Sequence, residues 1–142
     1  MDFGFGLANY EWRIKVEVYT GGAFQGKLEY VLEKKGYGRD SVLEGAVINP
    51  LTCTSGYKII NHFHEFIRNY VDKPEEVNEF AEMLVRTRDD IIIITDQVGC
   101  GIVPLDRTER EWRELHGRVM CRLASNAKHV ERIICGTGQV IK

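Results

Sequence analysis

The four consecutive isoleucines Ile91–Ile94 constrain the fold more than any other feature of the sequence. A run that is apolar at every position, rather than at alternate positions, is typical of a strand buried on both faces of a parallel sheet. Parallel neighbours must be joined by crossover segments, which are usually helices. The run therefore predicts an α/β protein with three layers, in which helices cover both faces of a mostly parallel sheet.

The rest of the chain alternates between strand and helix patterns, as this class requires. Further strands are predicted at Ile14–Tyr19, Val42–Ile48 and Val130–Cys135, with a short last strand that ends at Lys142. Helices are predicted at Lys27–Lys35, at Tyr57–Val71, from Pro74 onward, and from a cap at Asp106 or Thr108 to about Ala127. Residues 1–13 show no clear periodicity and are predicted to form an N-terminal arm, with residues 14–142 as one domain.

Composition and charge exclude several classes of function. The net charge of the 142 residues is −2, so no basic surplus indicates a nucleic-acid partner. No apolar run reaches the length of a transmembrane helix, and no secretory leader is visible. None of the four cysteines forms a C-x-x-C pair or a zinc-ligand spacing, so no metal site is predicted. We therefore expect a cytoplasmic protein with reduced thiols that is not bound to a membrane.

A glycine-rich segment between the first predicted strand and helix carries the functional signal. Its sequence is Gly21-Gly22-Ala23-Phe24-Gln25-Gly26-Lys27-Leu28, which matches G-x-x-x-x-G-K. Glycines let successive backbone N–H groups turn toward an anion, and the start of the helix adds partial positive charge. Lys27 supplies a full charge to the outer phosphates, so all eight residues are candidate nucleotide-binding residues.

Leu28 departs from the motif, because a serine or threonine at this position normally coordinates Mg²⁺. Binding of phosphate is therefore better supported than metal-assisted catalysis, and Mg²⁺ stays an open question. A second glycine-rich loop, Val98-Gly99-Cys100-Gly101, follows the isoleucine strand. Loops that follow parallel strands share one edge of the sheet, so Asp96, Gln97, Gly99 and Gly101 could face the same ligand. A tight turn without a ligand is the alternative.

Two segments resemble the adenosylcobinamide kinase/adenosylcobinamide-phosphate guanylyltransferase family. The first is Thr20–Ala23 followed by Gly26-Lys27, which is similar to the family's phosphate loop. The second is Val98–Pro104, which is similar to its EVGxGIVP signature, and the similarity extends from Ile91 to Lys142. The resemblance implies a RecA-like P-loop fold, ATP or GTP as nucleotide, a cobinamide substrate in cobalamin biosynthesis, and a homo-oligomer, with trimers known in the family.

The sequence departs from the family pattern in places that bear on chemistry. Asn49 stands where the family has an acidic residue, and Gln97 replaces a glutamate. The chain is short between Lys35 and Val42, where the family carries the histidine that becomes guanylylated. Asp96, next to Gln97, could substitute in part for the lost carboxylate, so Lys27 and Asp96 are the candidate catalytic residues. Arg107 and Arg110 lie close enough to the same edge of the sheet to bind phosphate through their guanidinium groups, and a solvated helix face is the alternative.

Three hypotheses follow for the function. The protein is a kinase-like enzyme of cobalamin assembly, with guanylyltransferase activity less supported, or it is a relative that binds nucleotide or corrinoid without turnover. The third hypothesis is an oligomeric structural protein without a ligand. His62 and His64 are not predicted to share a metal site, because they would lie on nearly opposite sides of the predicted helix Tyr57–Val71. His116 and His129 are predicted to have surface or core roles.

Overall fold

A computed structural model describes residues 16–88, 90–99 and 105–142 of the chain. The predicted arm, residues 1–13, lies outside these ranges. The strands are β1 (Glu17–Gly21), β2 (Val42–Glu44), β3 (Ile59–Asn61), β4 (Ile92–Asp96), β5 (His129–Ile134) and β6 (Thr137–Val140). The helices are α1 (Lys27–Lys35), α2 (Phe63–Asn69), α3 (Pro74–Thr87) and α4 (Arg107–Ser125). Short 3₁₀ turns occupy Arg39–Ser41 and Gly45–Val47.

The six strands form one sheet in the order β2-β3-β4-β1-β5-β6, and all pairs except β5–β6 are parallel. β1 lies at the centre between β4 and β5, so Val18 is paired with Ile93 on one side and Val130 on the other. The predicted mostly parallel sheet is confirmed. Since the strands run in the same direction, the loops after β1, β3 and β4 meet at one edge.

Helices cover both faces of the sheet, which makes three layers. On one face, Val31 of α1 packs against Tyr19, Ile92 and Ile94. On the other face, α2, α3 and α4 bury the larger part of the core against the sheet. Ile91 to Ile94 are all buried, with alternate members facing the two cores. The isoleucine run is therefore apolar throughout because helices cover it from both sides.

The prediction of a helix at Tyr57–Val71 is wrong for the first half of that segment. Ile59 and Ile60 lie in β3, and they face opposite cores, as strand neighbours must. His62 then adopts a left-handed conformation with φ of 53°, and α2 begins only at Phe63. The apolar spacing fits a helix by itself, but pairing of β3 between β2 and β4 buries these isoleucines better than one helix face could.

Two strand boundaries also differ from prediction. β1 continues to Gly21 rather than ending at Tyr19, because Thr20 and Gly21 still pair with Thr95 and Asp96. A Cβ at Gly21 would lie 2.4 Å from the carbonyl oxygen of Ile133 in β5, so only glycine permits β1 to continue this close to β5. The predicted strand Val42–Ile48 ends at Glu44, where the chain turns into the 3₁₀ segment.

The last long helix agrees closely with prediction. Asp106 caps α4, since its Oδ1 accepts hydrogen bonds from the N–H groups of Thr108 at 2.7 Å and Glu109 at 3.4 Å. The predicted stripe faces the core, with Leu115, Val119 and Leu123 buried. None of the helices in the described ranges combines the length and hydropathy needed to span a bilayer.

Candidate phosphate-binding site

The loop from Gly22 to Gly26 joins β1 to α1 at the carboxyl edge of the sheet. Gly26 precedes the helix in a left-handed conformation with φ of 78°, which glycine adopts without strain. Gln25 ties the loop to the β5–β6 turn, because its side-chain oxygen accepts from Cys135 N at 2.7 Å and its carbonyl accepts from Gly136 N. The first N–H groups of α1 have no helical acceptor, so they are available to an anion.

Lys27 is the first residue of α1 and is 7% exposed. Its Nζ lies 2.7 Å from Asp96 Oδ1 and donates to the carbonyl of Gly22 at 2.7 Å. The register of the sheet creates this ion pair, since Asp96 ends β4 directly beside Gly21. The two residues predicted as catalytic are therefore in contact. A phosphate that approaches Lys27 must share it with Asp96.

A cavity of about 480 Å³ opens above this ion pair. Its walls come from the phosphate loop, the first turn of α1, the end of β3 and the start of α2, together with Asp96. Phe24 stands fully exposed at the wall in a left-handed conformation, with φ of 59°, so it does not plug the loop. Leu28 lines the cavity and also packs on the core, and it offers no oxygen to a metal. Of the described residues that line the cavity, Lys27 alone carries a permanent positive charge.

His64 holds Asp96 from the side opposite Lys27. Its Nδ1 accepts from the backbone N–H of Asp96 at 3.1 Å, so the ring proton belongs on Nε2. Nε2 lies 3.4 Å from Asp96 Oδ2 and 3.5 Å from Glu65 Oε1. Burial lowers the pKa of His64, and the charges of Asp96 and Glu65 oppose this shift only in part. The ring is therefore neutral at neutral pH, and its hydrogen bond from the Asp96 N–H fixes it beside the Asp96 carboxylate.

A second polar pair joins the end of β4 to α4. Thr95 Oγ1 lies 2.8 Å from His116 Nε2 and also donates to the carbonyl of Asp96 at 3.2 Å. Burial lowers the pKa of His116 to about 4, so this histidine is uncharged at neutral pH. Thr95 and His116 are both buried, and the hydrogen bond between them gives each polar side chain a partner.

A third polar group stands at the end of β2 and β3. Nδ1 of His62 lies 2.8 Å from Glu44 Oε2, and Asn61 Nδ2 donates to Glu44 Oε1 at 3.0 Å. The rings of His62 and His64 meet edge to face, with their centroids 5.5 Å apart. The prediction that these two histidines lie on opposite sides of a helix is wrong, because His62 precedes the helix in a left-handed turn.

The other described residues that were predicted for the site do not line the cavity. Gln97 adjoins the phosphate loop, since its N–H donates to the carbonyl of Gly21 at 2.9 Å, but it does not line the cavity. The carbonyl of Gly99 accepts from Arg113. Arg107 is exposed on α4 and pairs with Glu111 at 2.8 Å. Gly101 lies outside the described residues.

Four further residues line the cavity although no motif in the sequence predicts them there: Asn61, His62, His64 and Glu65. Asn49, which the family resemblance puts at an acidic position, lines a separate groove with Tyr70 and Lys73. The strand that pairs with β4 on this side is β3, and its last residue is also an asparagine, Asn61. The signal for β3 is short: two β-branched residues that follow Gly56 and precede a histidine pair.

These features define the class of the protein. A glycine loop joins the central strand β1 to a helix that begins with a lysine, and a carboxylate ends the neighbouring strand β4. This is the arrangement of P-loop α/β domains. Comparison with known families agrees. The profile of the family described as "Cobinamide kinase / cobinamide phosphate guanyltransferase" matches residues 43–141, and the chain belongs to this family.

The match begins after the phosphate loop, so residues 21–28 are assigned to the site by their motif and geometry alone. Two curated relatives are also similar in part. The bifunctional adenosylcobalamin biosynthesis protein CobU of Salmonella typhimurium is 42% identical over 52 residues, which are 37% of this chain and 29% of that protein. Its namesake in Escherichia coli is 34% identical over 67 residues, which are 47% of this chain and 37% of that protein. The chain thus matches less than two fifths of the length of either relative.

Proposed function

We propose that this protein binds a nucleoside triphosphate, ATP or GTP, over Lys27 and transfers its terminal phosphate to the hydroxyl of a cobinamide. The observation that carries the proposal is the Lys27–Asp96 ion pair at the floor of the cavity, directly beside the glycine loop. A lysine held at a helix start supplies charge to the phosphates without having to be ordered when the ligand arrives. Family membership supplies the substrate class.

Magnesium would enter with the nucleotide. Mg²⁺ takes oxygen ligands, usually one or two carboxylates together with the substrate's phosphates. Asp96 and Glu65 are the carboxylates near the cavity floor, and they fit that requirement in part. The described residues include no cluster of three or more acidic, histidine or cysteine side chains that could hold a metal. We expect the phosphates to supply the remaining ligands.

A thermal-shift measurement tests the nucleotide site. ATP or GTP at about 100 times its Kd should stabilise the wild-type protein by about 2.7 kcal/mol, and Lys27→Ala should abolish this shift. Each shift is measured against the same variant without nucleotide, because removal of Lys27 leaves Asp96 without its ion-pair partner. Lys128→Ala, which removes an exposed lysine outside the cavity, is the matched control and should keep the shift.

Transfer of phosphate is tested with labelled nucleotide, Mg²⁺ and adenosylcobinamide. The wild type should form cobinamide phosphate, and Lys27→Ala should lower the rate by a factor on the order of 100 or more. A thermal shift of equal size in the wild type and Lys27→Ala would refute the proposed site. Nucleotide binding without any product would instead favour the second candidate.

That second candidate is a family member that binds nucleotide or corrinoid without turnover. Two observations favour it: Leu28 cannot ligate a metal, and Asp96 already neutralises Lys27. A homo-oligomer and a cytoplasmic location also belong to the proposal. Size-exclusion chromatography with light scattering tests the oligomer, for which we expect a trimer.

A further inference from the structure

The pair formed by His62 and Glu44 is held by an unusual backbone conformation and a close approach of two chain segments. His62 holds a left-handed conformation, with φ of 53° and ψ of 48°, which is uncommon for residues other than glycine, although histidine is found in it more often than most. The His62 side chain makes no capping hydrogen bond to α2, so helix capping does not explain this conformation. Strained non-glycine residues concentrate where a side chain must be aimed at a ligand.

The backbone around His62 is fitted closely to this conformation. Gly45 follows Glu44, and a Cβ on it would lie 2.1 Å from the carbonyl oxygen of His62. The end of β2 can therefore approach the histidine turn only because this position is a glycine. The close approach brings Glu44 Oε2 to 2.8 Å from His62 Nδ1. Two glutamate oxygens are used, since Asn61 donates to Oε1.

The hydrogen bonds fix the tautomer of His62. Nδ1 lies 2.8 Å from a Glu44 oxygen and 3.3 Å from Asn61 Nδ2. The carboxylate can only accept, so the shorter contact assigns the proton to Nδ1 and the lone pair to Nε2. Among the described residues, Nε2 of His62 has no hydrogen-bond partner, and half of the side chain is exposed. A histidine in the wall of a cavity, oriented through one nitrogen by a carboxylate and with its other nitrogen unbonded among the described residues, is arranged to accept a proton.

A chain of contacts links the His62 ring to the proposed phosphate site. His62 meets His64 edge to face, His64 lies 3.4 Å from Asp96 Oδ2, and Asp96 pairs with Lys27. His62 and Lys27 both line the same cavity of about 480 Å³. Because His62 and Lys27 line one cavity, an acceptor placed beside a phosphate at Lys27 can come within reach of His62.

We infer that His62 is the general base for the acceptor hydroxyl and that Glu44 is the residue that positions it; this inference rests on the proposed function. The hydroxyl oxygen of the acceptor forms a bond to the terminal phosphorus of the nucleoside triphosphate, and its proton passes to His62 Nε2. The bond from that phosphorus to the bridging oxygen breaks, and the nucleoside diphosphate leaves with the electron pair. The imidazolium then returns its proton to solvent.

Two substitutions at His62 test the base without disturbing the turn. Asparagine and glycine both adopt the left-handed conformation readily, so His62→Asn and His62→Gly should fold. Each should lower kcat for phosphate transfer by about 100-fold, the lower end of what general base catalysis contributes. The thermal shift given by ATP or GTP should stay unchanged. Added imidazole should restore activity to His62→Gly in a saturable way.

Glu44→Gln tests the positioning role separately. It should lower kcat by about 10-fold with little change in the KM for nucleotide, and imidazole should not rescue it, because the base is still present. His129→Asn is the matched control, since His129 forms another histidine–glutamate pair, 2.7 Å from Glu131, that lines no described cavity. It should keep the wild-type kcat.

The failures of these tests can be told apart. Wild-type kcat in His62→Asn, or absence of imidazole rescue in His62→Gly, would overturn the base while the proposed function stands. Loss of the nucleotide shift in His62→Asn would show a role in binding and would also overturn it. If the wild type transfers no phosphate, both the proposed function and the role of His62 as base are refuted. The thermal shifts of the wild type and Lys27→Ala then still show whether nucleotide binds at Lys27.

Discussion

At the scale of single residues, glycines decide how closely the backbone segments at the site approach one another. Gly21 lets β1 pass the carbonyl of Ile133, and Gly45 lets the end of β2 reach the turn at His62. Neither role can be recognised from a motif, because each depends on an atom that lies far away in the sequence. Gly117 differs, since a Cβ on this exposed position of α4 would meet no other described element within 4 Å, and the glycine only weakens its helix.

Two glycine substitutions should therefore act in opposite directions. Gly45→Ala should lower the free energy of unfolding by about 1–3 kcal/mol, because the new methyl group meets the carbonyl of His62. Gly117→Ala should raise it by about 1 kcal/mol, because alanine favours the helix. Urea unfolding monitored by circular dichroism measures both. Equal stability of Gly45→Ala and the wild type would show that the β2 turn is looser than described.

At the scale of elements, helix ends are set by specific side chains. α4 begins where Asp106 accepts two backbone hydrogen bonds, and α3 begins with Pro74, whose missing N–H is not needed in the first turn. α2 has no such signal, and its start is fixed by the strained turn at His62 and by Trp112, which donates to the carbonyl of His64 at 3.0 Å. A helix without a capping residue is hard to delimit from sequence.

Replacement of the cap of α4 should have a measurable effect. Asp106→Ala should lower the free energy of unfolding by about 1 kcal/mol, since two N–H groups lose their acceptor. Asp106→Asn keeps an acceptor oxygen and should stay within a few tenths of a kcal/mol of the wild type. Chemical denaturation of the three proteins side by side checks this. A loss of equal size in both variants would indicate that charge, rather than capping, stabilises this end.

At the scale of the whole molecule, a buried carboxylate joins α1 to the sheet. Glu131 on β5 is 1% exposed, and Lys34 and His129 each lie 2.7 Å from its Oε1. Burial acts to raise the pKa of Glu131, but hydrogen bonds from Lys34, Tyr30 and His129 outweigh it and lower the pKa to about 2. The ordinary value is 4.5, so the folded state prefers the ionised form.

This shift predicts how stability depends on pH. A lowered pKa in the folded state stabilises the protein above about pH 4.5, and the contribution is lost as the pH falls toward 2. Glu131→Gln should therefore reduce stability at pH 7 by on the order of 2–3 kcal/mol and make the decline below pH 5 less steep. Glu33→Gln, at an exposed site on α1, should leave the pH profile unchanged. Parallel profiles of Glu131→Gln and the wild type would refute this role.

The sequence by itself determined those features that depend on local pattern. The isoleucine run required a strand covered on both faces, and the glycine loop between a strand and a helix indicated the candidate phosphate site. Asp106 fixed the start of α4, and the similarity from Ile91 onward indicated the family that the profile match confirms. Each of these signals lies within a few consecutive residues, so no knowledge of distant partners was needed.

Tertiary structure alone decided the composition of the cavity. Ile59 and Ile60 fit a helical stripe with Phe63 and Phe66, and only their pairing with β2 and β4 makes them a strand. Once β3 forms, its end brings His62 and His64 to the edge of the sheet beside Asp96. Short strands depend on non-local pairing for their stability, and the side chains that follow them are placed by that pairing.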